Sequence, residues 1–539
     1  MYSITETTQK RDEMKKPLLL SLATIAILGT TNVNAESMYD RFQAMELEMK
    51  KMKQELDALK AKEHASMMQK EEDADEEEES ADDTEPTASS DEEEDDEDDD
   101  EMTVEEQLEE IQDSISNLNR NTNGNHIKFN VDYRFAVDNL QYKMADGSTQ
   151  KNDAFMTNRL WLNMNWAATK HLSFTGQLAY NKAFGARSGV TPANASFETF
   201  DWIANENAYN DTLRVRSAYF FYKNDTFMGS DIPWTFSVGR RPSTNGHLVN
   251  LRDDDHAASP MGHTINVEFD GLSSKFNLEN VTGVDGMYVK FCAGRGMSNA
   301  APRFNTAPYA DTTSNASIDL VGLIFTPWSD GQYSINSQYY YAGNLIDVVN
   351  PANQTLGFTT VGNIHSFTAN FVANGIGDGI NDFLDDTVFF VSGAVSITDP
   401  DKGQSMLGSS VDESVKGYSY WVGVQYPSLI SEEGRWGLEF NHGSKYWRSI
   451  TYAEDTNIGS KLAARGNAYE AYFTEPLIED ILSLQIRYTY IDYKYAGSNG
   501  FFGSTSGNAM SIDQAIAAGQ GANVVDTAQD IRFYLRYRY

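Results

Sequence analysis

The chain has 539 residues and carries 79 Asp and Glu against 42 Lys and Arg, a formal charge of −37. So acidic a balance is unsuited to a nucleic-acid partner, whose phosphates recruit Lys and Arg. The single cysteine, Cys292, excludes an intrachain disulfide, haem attachment and a zinc ribbon. Aromatic residues make up 12% of the chain while mean hydropathy is −0.50, a pairing that suits strands with one greasy and one polar face.

Taken in chain order, the first element is a signal peptide over residues 1–35. Met14-Lys15-Lys16-Pro17 precedes an apolar run from Leu18 to Leu28, and Val33 and Ala35 are small, so cleavage is expected before Glu36. The mixed charges of residues 1–13 do not form an n-region, which makes Met14 the expected start. The run is too short to span a bilayer, which takes roughly 20 apolar residues.

Residues 36–65 follow as a coiled-coil helix. Met38, Phe42, Met45, Met49, Met52, Leu56 and Leu59 are spaced alternately 4 and 3, the pattern of an a/d seam. An acidic linker, 66–102, comes next; its residues 71–101 hold 22 Asp or Glu and no Lys or Arg. Such a segment repels itself and buries no core, so it reads as a disordered tether. A short helix over 103–122 repeats the heptad spacing at Val104, Leu108, Ile111, Ile115 and Leu118. These helices either oligomerise the chain, a trimer by analogy with large porins, or pack on the barrel or on each other.

From 126 to 539 the pattern changes to alternation. Ile127, Phe129, Val131, Tyr133, Phe135 and Val137 alternate with Lys128, Asn130, Asp132, Arg134, Ala136 and Asp138. Sixteen further candidate strands follow, near 159–166, 172–180, 213–222, 234–241, 264–270, 273–281, 286–294, 317–326, 332–342, 363–373, 387–397, 417–426, 435–447, 467–474, 481–493 and 529–539. The last is the clearest. Ile531, Phe533, Leu535, Tyr537 and Tyr539 share one face, and Asp530, Arg532, Tyr534, Arg536 and Arg538 share the other. A strand with a fully apolar face and a free edge is a liability in water but fits a closed transmembrane barrel. Its terminal aromatic resembles the signal read by the barrel-assembly machinery. Single-chain bacterial barrels have even strand numbers, so the expected fold is an all-β antiparallel barrel of 16–18 strands in outer-membrane lipid. Trp234, Trp328, Trp421, Tyr426, Trp436, Trp447 and Tyr495 lie at strand ends and suit interfacial girdles.

With the apolar parity outward, Arg159, Arg214, Arg216, Arg241, Arg487, Arg532, Arg536 and Arg538 point into the lumen. Two readings stay open: a cationic wall that draws anions, or arginines that pin loop carboxylates. The loop from Pro242 to Gly262 is long and polar, and its Asp253, Asp254 and Asp255 would oppose the arginines if it folded inward as a constriction; the alternatives are a surface loop, or a loop that Arg252 and the aspartates only pin to the wall. Residues 374–382 superficially resemble a calcium loop, but Ile380 breaks the ligand spacing, so a turn and no metal are expected. No G-x-S-x-G, H-E-x-x-H or phosphate-binding glycine loop occurs, and neither catalysis nor a cofactor is expected.

Met38-Tyr39-Asp40-Arg41, the stretch from Gly239 to Gly246 and Asn266-Val267-Glu268-Phe269-Asp270-Gly271 resemble a family of outer-membrane barrels of unknown function, of epsilonproteobacterial type. The resemblance implies fold and location without a substrate. The resulting expectation is an outer-membrane, porin-like channel for small hydrophilic solutes, anions among them. The alternatives are a structural envelope protein whose periplasmic coil binds peptidoglycan or a partner, and a barrel sheath for a redox partner.

Overall fold

The structure, a computed structural model, describes residues 128–184, 208, 212–243, 246–256, 258–297, 318–350, 358–377, 379–451 and 454–539. The chain divides into two compact units, Met1–Glu101 and Met102–Tyr539, and every described residue belongs to the second. The expected signal peptide, both heptad seams and the acidic linker lie outside the described residues.

Sixteen long strands build the wall: β1 (Lys128–Met144), β2 (Thr149–Ala167), β3 (Leu172–Ala183), β4 (Arg214–Asn224), β5 (Trp234–Ser243), β6 (Ile265–Asn277), β7 (Tyr288–Met297) and β8 (Ile318–Ser329). The series continues with β9 (Tyr333–Val348), β10 (Phe358–Asn374), β11 (Val388–Pro400), β12 (Lys416–Pro427), β13 (Arg435–Gly443), β14 (Gly466–Ile478), β15 (Leu482–Tyr493) and β16 (Val525–Arg538). Each pairs antiparallel with the next in sequence. The ring then closes through β16 against β1, from Asp132 opposite Arg538 to Met144 opposite Val525. Closure leaves no unpaired edge, which is the condition for a sheet to sit in hydrocarbon. The final residue joins the ladder too: the Tyr539 amide donates to the Val131 carbonyl at 2.9 Å.

The alternation decides which face meets lipid. On β16, Ile531, Phe533 and Tyr537 are exposed while Arg532, Tyr534 and Arg536 are buried. On β11, Val391 and Val395 face out while Ser392, Ser396 and Thr398 are buried. Exposed large apolar residues recur around the ring at Phe220, Phe291, Val321 and Phe367, a belt that water would not tolerate but lipid solvates. The barrel is therefore of the transmembrane type. Its strand ends are unequal, as in outer-membrane barrels: short turns such as 168–171, 330–332 and 479–481 mark one end, with both termini of the ring. Long connections, including 244–264, 444–465 and 494–524, mark the other.

The candidates at 264–270 and 273–281 are one strand, which brings seventeen segments to sixteen. Asp270-Gly271 has turn composition, yet Gly271 sits mid-strand, opposite Gly239 on β5 and Gly294 on β7. A Cβ at Gly271 would lie 2.2 Å from the Ala293 carbonyl oxygen, so this glycine serves a close approach of three strands. Beyond it β6 parts from β7. Residues Val267–Phe269 stay with β5, Ile265 and Asn266 pair with a parallel two-residue strand, Ile450–Thr451, and Ile265 and Val267 pack on Ile318, Leu320 and Tyr340. Those partners lie on the inner face of β8 and β9, so the glycine row is where the β5–β6 hairpin bends out of the wall and into the barrel.

Candidate functional site

The lumen is occupied by the chain's own loops. The loop from 244 to 264 leaves the bent hairpin and carries a short helix, Val249–Asp253. Leu248 and Val249 are buried against Val372, Phe390, Trp421 and Leu462, which come from β10, β11, β12 and another loop. Polar contacts then tie the loop to the far wall. The Leu251 carbonyl accepts from Gln425 at 2.9 Å, and the Arg252 carbonyl from Gln485 at 2.7 Å. The Asp253 carbonyl accepts from Arg536 at 2.6 Å. His263 sits between the hydroxyls of Ser392 and Ser419 at 2.8 and 2.9 Å, and its burial lowers its pKa to about 3, so it stays neutral. A loop that reaches partners on β10 to β12, β15 and β16 crosses the interior.

A second inserted loop, 444–465, supplies the charge that the arginines need. Asp455 is buried and meets Arg134, then Arg159 at 3.4 Å and Arg532 at 3.7 Å. Burial pushes its pKa up, but the guanidiniums of Arg134, Arg532 and Arg159 outweigh that and hold it well below the usual carboxylate range. Lys461 bridges Glu439, at 2.6 Å, and Glu470. Arg448 donates to the Ser498 carbonyl at 2.5 Å, and Arg465 to those of Ala496 and Gly507 at 2.9 Å each, which anchors the loop to the 494–524 connection. Glu454 is the odd member: burial lifts its pKa from 4.5 to about 7 despite Arg252 and Lys461 nearby, and its Oε2 is left unbonded.

The predicted lumen residues fall into this network unevenly. Arg159, Arg487, Arg532 and Arg536 are buried on inward positions of β2, β15 and β16. Arg536 pairs with Asp132 at 2.5 Å and with Asp255 at 2.8 Å, and Arg538 with Asp254 at 2.8 Å. Asp253 instead pairs with its neighbour Arg252 at 3.0 Å. Arg216 lies 4.2 Å from the Trp161 ring, whose centre is 3.6 Å from Arg159, and meets Glu268 at 3.5 Å. Arg214 is half-buried at the start of β4. Arg241 stands apart, over the Tyr219 ring at 4.6 Å and bonded to the hydroxyls of Ser237 and Ser273. Two of the tryptophans expected in girdles are inside instead. Trp421 shares the inward parity of Ser419 and donates to Glu439 at 2.8 Å, while Trp447 donates to the Leu462 carbonyl at 2.8 Å within the inserted loop. Girdle composition is met at one rim, where Trp234, Phe227, Phe276 and Phe291 form a chain of ring contacts.

Polar cavities lie on both sides of the inserted loops. One of about 950 Å³ opens at the long-loop end, lined by Tyr142, Asn457, Ser460, Tyr493, Asn499 and Gln520 among others. Another of about 220 Å³ lies towards the short-turn end, between the 258–261 segment and Lys275, Tyr288, Lys290 and Asn336.

Residues 149–539 match the family described as Protein of unknown function (DUF3373). The chain belongs to that family. No curated protein sequence matches it. Among solved structures, the DUF3373 chain is similar to a loop L8 deletion mutant of OmpT, an outer membrane protein of Vibrio cholerae, at 12% identity and a TM-score of 0.39, covering 77% of this chain and 99% of that one. It is similar to Pseudomonas putida OprB at high pH, at 14% identity and a TM-score of 0.42, covering 80% and 97%. It is also similar to the anion-selective porin from Comamonas acidovorans, at 10% identity and a TM-score of 0.42, covering 77% and 99%.

Sequence reasoning missed several groups of the DUF3373 lumen. Arg134 had the inward parity of Asp132 and was readable as a lumen residue. Asp455, Lys461 and Arg448 carried no such signal, because a polar loop has the same composition whether it lies on the surface or folds inward. Lys275 and Lys290 were legible in principle: each lies one residue from an outward aromatic, Phe276 and Phe291, and so points inward.

Proposed function

We propose that the protein is an outer-membrane channel of porin type, which passes small hydrophilic solutes by diffusion along a constricted, charged lumen. The observation that carries this reading is the crossing of the barrel interior by the 244–264 loop, with polar cavities on either side of it. A barrel built only to anchor something needs an apolar exterior and a packed interior. It does not need a charged interior of this extent, which costs desolvation and is retained here as buried pairs. Under this reading Arg159, Arg487, Arg532, Arg536 and Arg538 act first as clamps on the inserted loops, Arg216 holds the bent end of β6 through Glu268, and Asp253, Asp254 and Asp255 belong to the constriction. The N-terminal extension, residues 36–122 after signal-peptide removal, belongs in the periplasm. Trimerisation and peptidoglycan contact through its coil are part of the same proposal.

A planar bilayer containing the purified full chain tests it. Stable open-channel steps are the expected result. Silence across a wide voltage range would overturn the channel and favour the structural envelope protein.

A further inference from the structure

Along the wall of β14–β16, β1 and β2, inward cations are matched by carboxylates. Arg134, Arg159, Arg532 and Arg536 pair with Asp132, Asp138, Asp255 and Asp455, and Lys461 with Glu439 and Glu470. The inner face of β5–β7 is different. Lys275 and Lys290 stand directly opposite each other in the β6–β7 ladder, a placement that sets like charges side by side and costs stability unless something compensates. Among the described residues neither forms an ion pair, and neither does Arg241 on the adjoining strand. Their contacts are neutral. Lys275 lies 4.0 Å from the Tyr288 ring centre, Lys290 donates to the Ser259 hydroxyl at 2.6 Å, and Arg241 donates to Ser273 at 2.9 Å.

The three cations surround empty space. Lys275 and Lys290 line the cavity of about 220 Å³, with Tyr288, Asn336 and His247. Arg241 and Lys290 line a neighbouring one of about 80 Å³, and Ser259 and Pro260 line both. A water molecule takes about 30 Å³ of liquid volume, so the larger cavity admits a small oxyanion with part of its hydration. Lysines bind such anions as point charges, and tyrosine and amide groups add hydrogen bonds.

We propose that Arg241, Lys275 and Lys290 form an oxyanion-binding station on the inner face of β5–β7, with a small inorganic oxyanion as its ligand class. As a station for a passing solute it rests on the channel reading; as a binding site it stands without it. The missing countercharge is the point. A wall that elsewhere supplies a carboxylate for its buried cations leaves these three for an anion from solution.

Calorimetric titration of the full chain, folded in detergent at fixed chloride, with inorganic phosphate tests the site. Saturable binding to the wild type is expected, weakened at least about tenfold in Lys275→Gln/Lys290→Gln and retained in Lys275→Arg/Lys290→Arg, which keeps both charges. Absence of saturable binding to the wild type, or equal binding by the glutamine pair, would overturn the proposal. If the glutamine pair does not fold, Lys290→Met alone carries the same comparison. Conductance separates this from the channel reading. Phosphate binding in a barrel that gives no open-channel steps supports the site and sinks the channel, whereas steps without phosphate binding sink the site and leave the channel.

Discussion

Two parts of the lumen are filled by opposite physics. Beside β8–β10 the interior is an apolar core: Ile265, Val267, Ile318, Leu320, Tyr340, Ile346, Ile364, Ile450 and Phe502 are buried together. Across from it, the wall formed by β14–β16, β1 and β2 is a lattice of guanidiniums and carboxylates around Asp455. The apolar part is non-directional and gains with every methylene removed from water. The charged part gains little net energy, because desolvation offsets most of the Coulomb attraction, but losing one member strands its partners. The apolar side therefore reads as the hinge side, where the bent β5–β6 hairpin is fixed. The charged side is the latch on which the loops close.

That contrast can be broken at either end. The largest effect is expected from Asp455→Ala, which strands Arg134 and its neighbours in the interior. A loss of about 3–5 kcal/mol in urea-induced unfolding is predicted, and a value near zero would mean that the latch is not closed in the folded protein. Ile265→Ala opens a cavity on the apolar side and should cost about 2–5 kcal/mol in the same assay. Unlike Asp455→Ala, it should change stability without freeing the 444–465 loop to protease. Gly271→Ala forces a Cβ onto the Ala293 carbonyl and should cost about 1–3 kcal/mol as overpacking. Normal stability there would show that the strand row can spread, and would weaken the account of the bend. The smallest effect concerns pH. Glu454 has its pKa raised from 4.5 to about 7, so its stabilising contribution is complete below about 4.5 and is lost as pH rises through about 7. Melting temperature should fall over that interval, and Glu454→Gln should flatten the fall. An identical slope in the variant would remove Glu454 from the account.

Much of the wall was legible from the sequence. Period-two alternation located the sixteen strands and set Arg159, Arg487, Arg532 and Arg536 inward, because lipid outside forces one parity to be apolar. The reading went wrong where a local rule met a tertiary demand. Asp270-Gly271 has turn chemistry, yet the glycine is there for contact with β5 and β7. The strand expected over 435–447 ends at Gly443, and Trp447 belongs to an inserted loop rather than to a rim. Which loop folds inward was not legible at all for 444–465. Its partners, Arg134 and Arg532, lie more than 70 residues away in sequence, and only closure of the barrel brings them to Asp455.

Single-channel conductance of the wild type beside Asp455→Ala shows whether inserted loops latched by buried ion pairs set the passage. The expected result is small, stable steps in the wild type and larger steps in the variant, at the same ion composition. Steps of equal size in both would contradict it, because the loop held by Asp455 would then have no part in narrowing the lumen.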